Sequence, residues 1–312
     1  MKKVVLPLLA NGLSTKAVFV QLRGMYASDV GDREIRDLIS WAAAKNPQPS
    51  GYHWRTQTSG MRSLQREIMA ERVTTDQAIA NTEKWLRGFR CDEGDLWHIS
   101  PWRPLEDPRF DSLMLFAALY SKEDRINIVT EFALEQKDGG QKANPSGSGK
   151  ILRRDDWMRW SRDYGTPQSK AGAWIRPNPV KKRGSGRDGA VTDEDVTSHR
   201  FCLLESDALP IDLQVSVWAR LPLPVAAIIA SGGRSVHAWI MLSCPNAQEY
   251  RSKVNRIHAL LARLGICQSN KNPSRLSRLP GAQREIGKHR DGIQRLLYLN
   301  PEPLEAPILG KR

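Results

Sequence analysis

The sequence predicts an α+β fold with a β-α-β-β-α-β unit in its C-terminal third. Two apolar strands follow one another there with only a short Ser-Gly-Gly turn between them. A later segment carries Tyr250, Val254, Ile257, Leu261 and Leu264 at helical spacing. The predicted elements are strand 200–205, helix 210–220 with Pro210 in its first turn, strands 225–230 and 234–242, helix 247–265 and strand 294–299. This order is the split-βαβ, or ferredoxin-like, arrangement.

The N-terminal part predicts a small helical module over residues 1–62. A helix begins at Asp32, because apolar residues recur at 35, 38, 39 and 42, and Asn46-Pro47 ends it. We expect residues 63–312 to form one larger domain. Its first half should contain helices Ser63–Glu71 and Thr75–Leu86 (capped by Thr74 or Thr75), a strand over 96–102, helix 111–120, strand 126–129, a long mobile loop over 136–149 and a strand within 172–179.

The charge balance indicates an acidic, extended partner. The 312 residues carry 47 Lys and Arg against 34 Asp and Glu, a net charge of +13. Nucleic acid is the commonest such partner, although charge that serves solubility alone is the competing interpretation. The four cysteines form no Cys-x-x-Cys pair, which argues against zinc and a disulfide scaffold. We expect a mature cytoplasmic protein without a membrane partner, because Pro7 breaks the apolar start and no long apolar run follows.

Two pairs of polar side chains mark the ends of the predicted strands. Glu205 and Asp207 are two apart and would share one face of an extended strand. Their carboxylates would repel unless a cation lay between them, and Mg²⁺ or Mn²⁺ prefers such oxygen ligands; a solvated strand end is the competing interpretation. Ser235 and His237 likewise share a face, directly after glycines that let backbone N–H groups surround an anion. We favour phosphate contact for His237 over a buried core role.

Cations follow these motifs. Arg234 adjoins Ser235, and Lys271, Arg275 and Arg278 lie in the segment 270–281. Arginine offers a planar fork that matches phosphate oxygens. A second basic run, 181–187, contains Lys181, Lys182, Arg183 and Arg187 among glycines. It is either a solvated loop or a segment that contacts DNA phosphates.

As a set, these motifs resemble the archaeo-eukaryotic primase (AEP) superfamily, in particular the primase-polymerase domains of phage and plasmid replication proteins. The residues that carry the resemblance are Glu205-Ser206-Asp207, the segment 231–239 and the segment 270–281, with Trp97–Pro101 and Trp174–Pro179 as further similar segments. The resemblance covers roughly residues 90–303. It implies a two-lobed core with an RRM-like palm over about 198–303 and metal-dependent, template-directed nucleotidyl transfer on single-stranded DNA.

The resemblance also implies roles for single residues. Glu205 and Asp207 would bind Mg²⁺ or Mn²⁺, with Glu205, Asp207 and His237 as the catalytic set. The nucleoside triphosphate, either NTP or dNTP, would be contacted by Ser235, His237, Arg234, Arg275, Arg278 and Lys271. The sequence contains no Gly-x-x-x-x-Gly-Lys-Ser/Thr motif, so a replicative helicase would be a separate chain, or this sequence is a fragment of a larger primase-helicase.

One departure from the family pattern keeps an alternative open. The family usually has a third acid shortly before the arginine segment, and here Cys267 stands near that place, with no carboxylate in 265–269. The alternative is a replication initiator or accessory DNA-binding protein with the AEP fold and reduced or lost catalysis. A rolling-circle nickase is disfavoured because there is no His-x-His pair. An RNA-binding RRM would need more exposed aromatic residues on its sheet.

Overall fold

The computed structural model describes Thr15, Phe19 and residues 31–45, 73–137 and 140–309. The chain divides into two units, Met1–Ser59 and Gly60–Arg312. In the first unit, helix α1 (Asp32–Lys45) has the predicted start and buries Ile35 and Ile39, one turn apart. The predicted helix Ser63–Glu71 and the Asn46-Pro47 stop lie outside the described residues.

In the second unit, local capping decides the first helices. Helix α2 (Thr75–Leu86) begins at a capping box in which Thr74 and Gln77 exchange hydrogen bonds, as the sequence predicts. The strand expected over 96–102 is wrong, since α3 (Glu93–Ile99) is a helix. The reason is a second capping box: the Asp92 carboxylate accepts the Asp95 N–H at 2.7 Å, and Asp95 reciprocates. Helix α4 (Asp111–Leu119) agrees with the prediction to within a residue.

The first sheet has four strands in the order β4-β1-β5-β9. Their bounds are β1 Arg125–Val129, β4 Lys150–Arg153, β5 Trp174–Ile175 and β9 Ser277–Arg278, and helix α5 (Arg154–Tyr164) follows β4 directly. The predicted strand within 172–179 is therefore only two residues long. The short strand β9 brings the 270–281 segment into the same sheet as β1.

The prediction of a long mobile loop over 136–149 is wrong. Strands β2 (Phe132–Lys137) and β3 (Gly140–Pro145) pair antiparallel from Phe132 with Pro145 to Lys137 with Gly140. In the sequence, Asp138-Gly139 separates the two strands, and Asp-Gly is a favoured pair for two-residue hairpin loops. The sequence therefore carried the signal for a hairpin, which the polar composition of the segment obscured.

The second sheet contains the predicted β-α-β-β-α-β unit. Its elements are β6 (His199–Leu204), α6 (Ile211–Arg220), β7 (Val225–Ala230), β8 (Val236–Cys244), α7 (Ala247–Leu261) and β10 (Arg295–Leu299), in the strand order β10-β7-β8-β6. Every neighbouring pair is antiparallel, and β8 lies between β6 and β7, as in a split βαβ unit. The fold therefore mixes helices with antiparallel sheets, which confirms the coarser part of the predicted class.

The strand order corrects the ferredoxin-like expectation, in which the fourth strand lies beside the first. Here β10 pairs with β7. The outer edge of β6 has other partners: the Asn178 side chain accepts the N–H groups of Arg200 and Phe201 at 2.8 Å and donates to the Phe201 carbonyl at 2.9 Å. This side chain satisfies the edge groups that a fourth strand would otherwise pair with.

The second sheet is buried on both faces. Phe201, Leu203 and Trp239 point into one apolar cluster with α4, α5 and the first sheet, whereas Cys202 and Leu204 point into the other, with α2, α6 and α7. Burial on both sides explains why β7 is entirely apolar. His237 alternates with Val236 and Ala238 and shares the face of Trp239, the face toward the first sheet.

No helix in the part of the chain that the structure describes has the length and apolar character needed to cross a membrane.

Candidate nucleotide site

Three distant segments meet at the end of β6. Glu205, the residue after this strand, has its Oε2 2.9 Å from Nε2 of His237 on β8. Its other oxygen, Oε1, accepts a hydrogen bond from Asn270 Nδ2 at 2.6 Å. His237 Nδ1 lies 2.9 Å from Ser277 Oγ on β9. The structure thus brings together one member of each of the three motifs that the sequence singled out.

Glu205 is held as a carboxylate. Burial by itself would raise the pKa of Glu205, since only 16% of its side chain is exposed. The charge and hydrogen bond of His237, the hydrogen bond from Asn270 and the charge of Arg275 outweigh burial and lower the pKa to about 2. Glu205 is therefore a buried anion whose two oxygens both have protein partners.

The hydrogen bonds around His237 define its orientation. Trp239 Nε1 donates to Ser277 Oγ at 2.9 Å, so Trp239 and His237 Nδ1 share the Ser277 hydroxyl. The Arg278 N–H also points to Nδ1, at 3.4 Å. Nε2 faces the Glu205 carboxylate, so each ring nitrogen has a partner of its own. Ser235 Oγ lies 3.4 Å from the same Nε2, so Ser235 and His237 are neighbours, as expected.

Asp207 has a different partner from Glu205. Strand β6 ends at Leu204, so the alternation that would place Glu205 and Asp207 on one face does not extend to them. Instead, the Ser206 hydroxyl accepts the N–H groups of Ala208 and Leu209 and turns the chain. The Asp207 side chain is 59% exposed and pairs with Arg234 at 3.4 Å. Thus Arg234 is a partner of Asp207.

The position expected for a third acid is close to Glu205. The Cys267 N–H donates to the Glu205 carbonyl at 2.8 Å, and its Sγ lies 3.0 Å from Ser269 Oγ. No set of three or more His, Cys, Asp or Glu side chains suited to a metal occurs among the residues that the structure describes. Two carboxylates remain, which fits Mg²⁺ bound through one or two acids together with substrate phosphates. Each Glu205 oxygen has two lone pairs and retains acceptor capacity.

The glycine turn between β7 and β8 packs on a buried arginine. Gly232 has φ +67°, and a Cβ there would lie 2.4 Å from the Gly292 carbonyl oxygen. Arg284 Nη1 donates to the Ser231 carbonyl at 3.0 Å, and a Cβ on Gly233 would lie 2.7 Å from the same nitrogen. Burial lowers the pKa of Arg284. The turn therefore has a cation beneath it.

The predicted phosphate-binding cations differ in their surroundings. Arg278 stacks on the Trp174 ring, 4.3 Å from its centroid, and Nη1 donates to the Ala171 carbonyl. Burial lowers the pKa of Arg278 well below its usual value. The charge of Arg275 acts on Glu205. Burial lowers the pKa of His258 to about 4, against its hydrogen bond with the Cys267 carbonyl, and the charge of Lys271 lowers it further.

The basic run at 181–187 belongs to an ordered loop that a bridge between Val180 and Val196 closes. Buried Asp195 accepts hydrogen bonds from the backbone and hydroxyls of Ser185 and Thr192 and holds this loop together. All four predicted DNA contacts on this loop are exposed: Lys181, Lys182, Arg183 and Arg187. The exposed fraction is 56% for the Lys181 side chain, which lies 3.9 Å from Asp195, and 96% for the Arg187 side chain.

Sequence reasoning missed three residues of the site: Asn270, Ser277 and Arg284. The first two stand inside the segment 270–281, but only its cations were selected. A signal was present, because polar residues that interrupt a basic segment need partners when they are buried. Arg284 lies beyond that segment, and no local pattern relates it to the glycine turn.

Comparisons with known proteins give one similar structure. No family model matches the chain, and no curated protein matches it. The chain is similar to the AEP domain of the cyanophage S-2L primase-polymerase, with 21% identity and a TM-score of 0.39. The match covers 62% of this chain and 91% of that domain. A TM-score of this size does not show that the chain belongs to a family.

Proposed function

We propose that the chain is a DNA primase or primase-polymerase that transfers nucleotides onto a growing strand in a metal-dependent, template-directed reaction. The observation that carries the proposal is the convergence at Glu205. Glu205, His237 and Ser277 come from the three segments that resemble primase motifs, and hydrogen bonds of 2.9 Å link them. Segments separated this far in sequence have no local reason to meet.

In this proposal Glu205 and Asp207 hold Mg²⁺ or Mn²⁺ together with the triphosphate of an NTP or dNTP. The bound ion supplies charge neutralisation at the phosphates and activation of the attacking 3′-hydroxyl. Ser235 lies beside His237, and both would contact the phosphates, to which Arg275 adds positive charge. Arg234, Lys271 and Arg278 remain proposed nucleotide contacts.

Single-stranded DNA is the proposed template. Lys181, Lys182, Arg183 and Arg187 would contact its phosphates, since their loop exposes cations. A separate replicative helicase remains a proposed partner. We propose that the chain acts in the replication of a phage, plasmid or other mobile element.

A second candidate is a replication initiator or accessory protein that binds DNA with reduced or lost catalysis. One specific observation favours it. Both Glu205 oxygens already have protein partners, and Cys267, where a third acid would stand, provides no carboxylate. Such a chain would bind single-stranded DNA, with an affinity that falls as salt rises, without incorporating nucleotides.

Primer extension on a single-stranded template, with Mg²⁺ or Mn²⁺, separates the two candidates. Asp207→Ala and His237→Ala should each slow incorporation at least about 100-fold, the scale on which loss of one charge-stabilising group acts. Glu249→Ala is the matched control for Asp207, because Glu249 is also an exposed carboxylate paired with a cation. Full activity in both site variants would exclude the proposal. DNA binding without incorporation by the wild type would establish the second candidate.

A further inference from the structure

An exposed aromatic surface lies on the opposite side of the first sheet from β9. Helix α5 carries Trp157, Trp160 and Tyr164, whose rings form a ladder from the core outward. Trp157 is 2% exposed, whereas Tyr164 is 78% exposed. The rings of Trp160 and Tyr164 lie 5.2 Å apart, and Lys150 Nζ lies 4.0 Å above the Trp160 ring. We call Lys150, Trp160 and Tyr164 the aromatic platform.

Folding alone does not account for Tyr164. An aromatic ring this exposed gives up the burial that stabilises other aromatic residues of this chain, such as Trp157. Among the large apolar or aromatic side chains described as exposed, Tyr164 has the largest exposed fraction. A flat, exposed ring beside another ring is the arrangement on which nucleic acid bases stack.

The charges around the aromatic platform favour a polyanion. Each carboxylate of α5 pairs with an arginine, namely Asp155 with Arg154, Asp156 with Arg159 and Asp163 with Arg162. Lys150 and Arg153 on β4 are exposed and have no carboxylate partner among the described residues. Two cations therefore remain uncompensated near the exposed Tyr164 ring and the half-buried Trp160 ring, as expected for a surface that contacts phosphates as well as bases.

The sheet relates this surface to the candidate nucleotide site. Lys150 pairs with Ile128, Ile128 with Ile175, and Ile175 with Ser277, so these four residues form one row across the first sheet. Three strand spacings separate Lys150 from Ser277, which is about 14 Å. At the spacing of stacked bases, about 3.4 Å, a single strand would cover this distance with about four nucleotides.

We propose that the aromatic platform binds an unpaired base of single-stranded DNA, with the exposed Tyr164 ring stacking on it and Lys150 contacting a phosphate. The role of the aromatic platform as a template contact rests on the proposed function. Its binding of single-stranded DNA does not depend on that function. The site would hold the strand a few nucleotides from His237.

Fluorescence anisotropy with a labelled oligo-dT of about 20 nucleotides, in the absence of nucleotide and divalent metal, tests this binding. Tyr164→Ala should weaken binding about 5- to 150-fold, the range for loss of one stacked base. Tyr164→Phe keeps the ring and should bind as the wild type does. Lys150→Ala should reduce the slope of log affinity against log salt by about 0.7, the value for one phosphate contact on a single strand. Phe110→Ala is the matched control, because Phe110 is 42% exposed and belongs to neither α5 nor β4.

Two further measurements keep the outcome interpretable. An abasic oligonucleotide of the same length should bind the wild type and Tyr164→Ala equally, because it offers no base to stack. Equal binding of oligo-dT by Tyr164→Ala and the wild type, with unchanged thermal unfolding, would overturn the inference. Because no incorporation is measured, this result is independent of the primer-extension test. If Tyr164→Ala weakens DNA binding but the wild type incorporates no nucleotide, the platform stands and the proposed function fails. If the wild type incorporates nucleotides but Tyr164→Ala binds DNA normally, the proposed function stands and the platform fails.

Discussion

His237 Nε2 and Glu205 Oε2 lie 2.9 Å apart, with only 7% and 16% of their side chains exposed. The contact joins the start of β8 to the end of β6, and Ser277 takes the other nitrogen of the imidazole. With both ring nitrogens engaged, the imidazole has one preferred orientation. Glu205 thus positions His237 as well as supplying an anion, and this dual role leads to the first two predictions.

Replacement of Glu205 should alter the pH dependence of stability. The pKa of Glu205 falls from its ordinary value of 4.5 to about 2 on folding. A lowered pKa stabilises the folded state above the unfolded pKa, so this contribution is complete at neutral pH, and it is lost as pH falls toward 2. The shift corresponds to about 3 kcal/mol at pH 7 and about half of that at pH 3.

Urea unfolding of Glu205→Gln and the wild type at pH 7 and pH 3 measures this contribution. The difference in free energy of unfolding between the two proteins should be smaller at pH 3. An equal difference at both values would show that the carboxylate is not held by these contacts.

Ser277→Ala should destabilise the fold through Trp239. Without the Ser277 hydroxyl, the buried indole N–H loses its acceptor, which costs about 1 to 3 kcal/mol. Trp239→Phe removes the donor, so the double variant should lose less stability than the sum of the two single variants. Urea unfolding of all four proteins gives this coupling. Strict additivity would contradict the link between Ser277 and Trp239.

Gly232→Ala should be more damaging than Gly88→Ala. Both glycines have a positive φ, +67° and +80°, so both substitutions carry backbone strain. A Cβ at Gly88 meets nothing within 4 Å, whereas at Gly232 it would lie 2.4 Å from a backbone oxygen of Gly292. We expect an additional loss of about 1 to 3 kcal/mol for Gly232→Ala, measured by urea unfolding. Equal losses would mean that the turn can move away from Gly292 at little cost.

Asp111→Asn should stabilise the protein at alkaline pH. Burial raises the pKa of Asp111 from 3.8 to about 7, despite a hydrogen bond from the Leu296 N–H and the nearby charge of Arg295. A raised acid pKa favours the folded state below the unfolded pKa, and this advantage is lost as pH rises from about 4 through 7. The ionised carboxylate thus costs up to about 4 kcal/mol above pH 7.

Thermal unfolding of Asp111→Asn at two pH values tests this cost. Asparagine keeps an acceptor for the Leu296 N–H and carries no charge, so the variant should melt higher than the wild type at pH 8.5 and at nearly the same temperature at pH 4. A lower melting temperature at pH 8.5 would show that the charge of Asp111 is required by its neighbours.

Local sequence signals predicted most elements of the second sheet. The strands at β6, β7 and β8 are apolar runs bounded by turn residues, and α7 has an apolar stripe, so a short window of sequence is sufficient to recognise them. Prediction from such short segments was wrong where two local signals favoured different structures. At α3, apolar residues suggested a strand, but the capping box around Asp92 decided for a helix.

The sequence by itself determined the order of elements in the second sheet, the basic charge and three motifs of polar and basic residues. Only the tertiary structure decided which motif residues touch. It joined Glu205 to His237 and Asn270, paired Asp207 with Arg234, and placed Arg284 beneath the glycine turn. The physical reason is the distance along the chain over which each interaction acts. Periodicity and capping act between residues a few positions apart, whereas these contacts depend on how two sheets pack against each other.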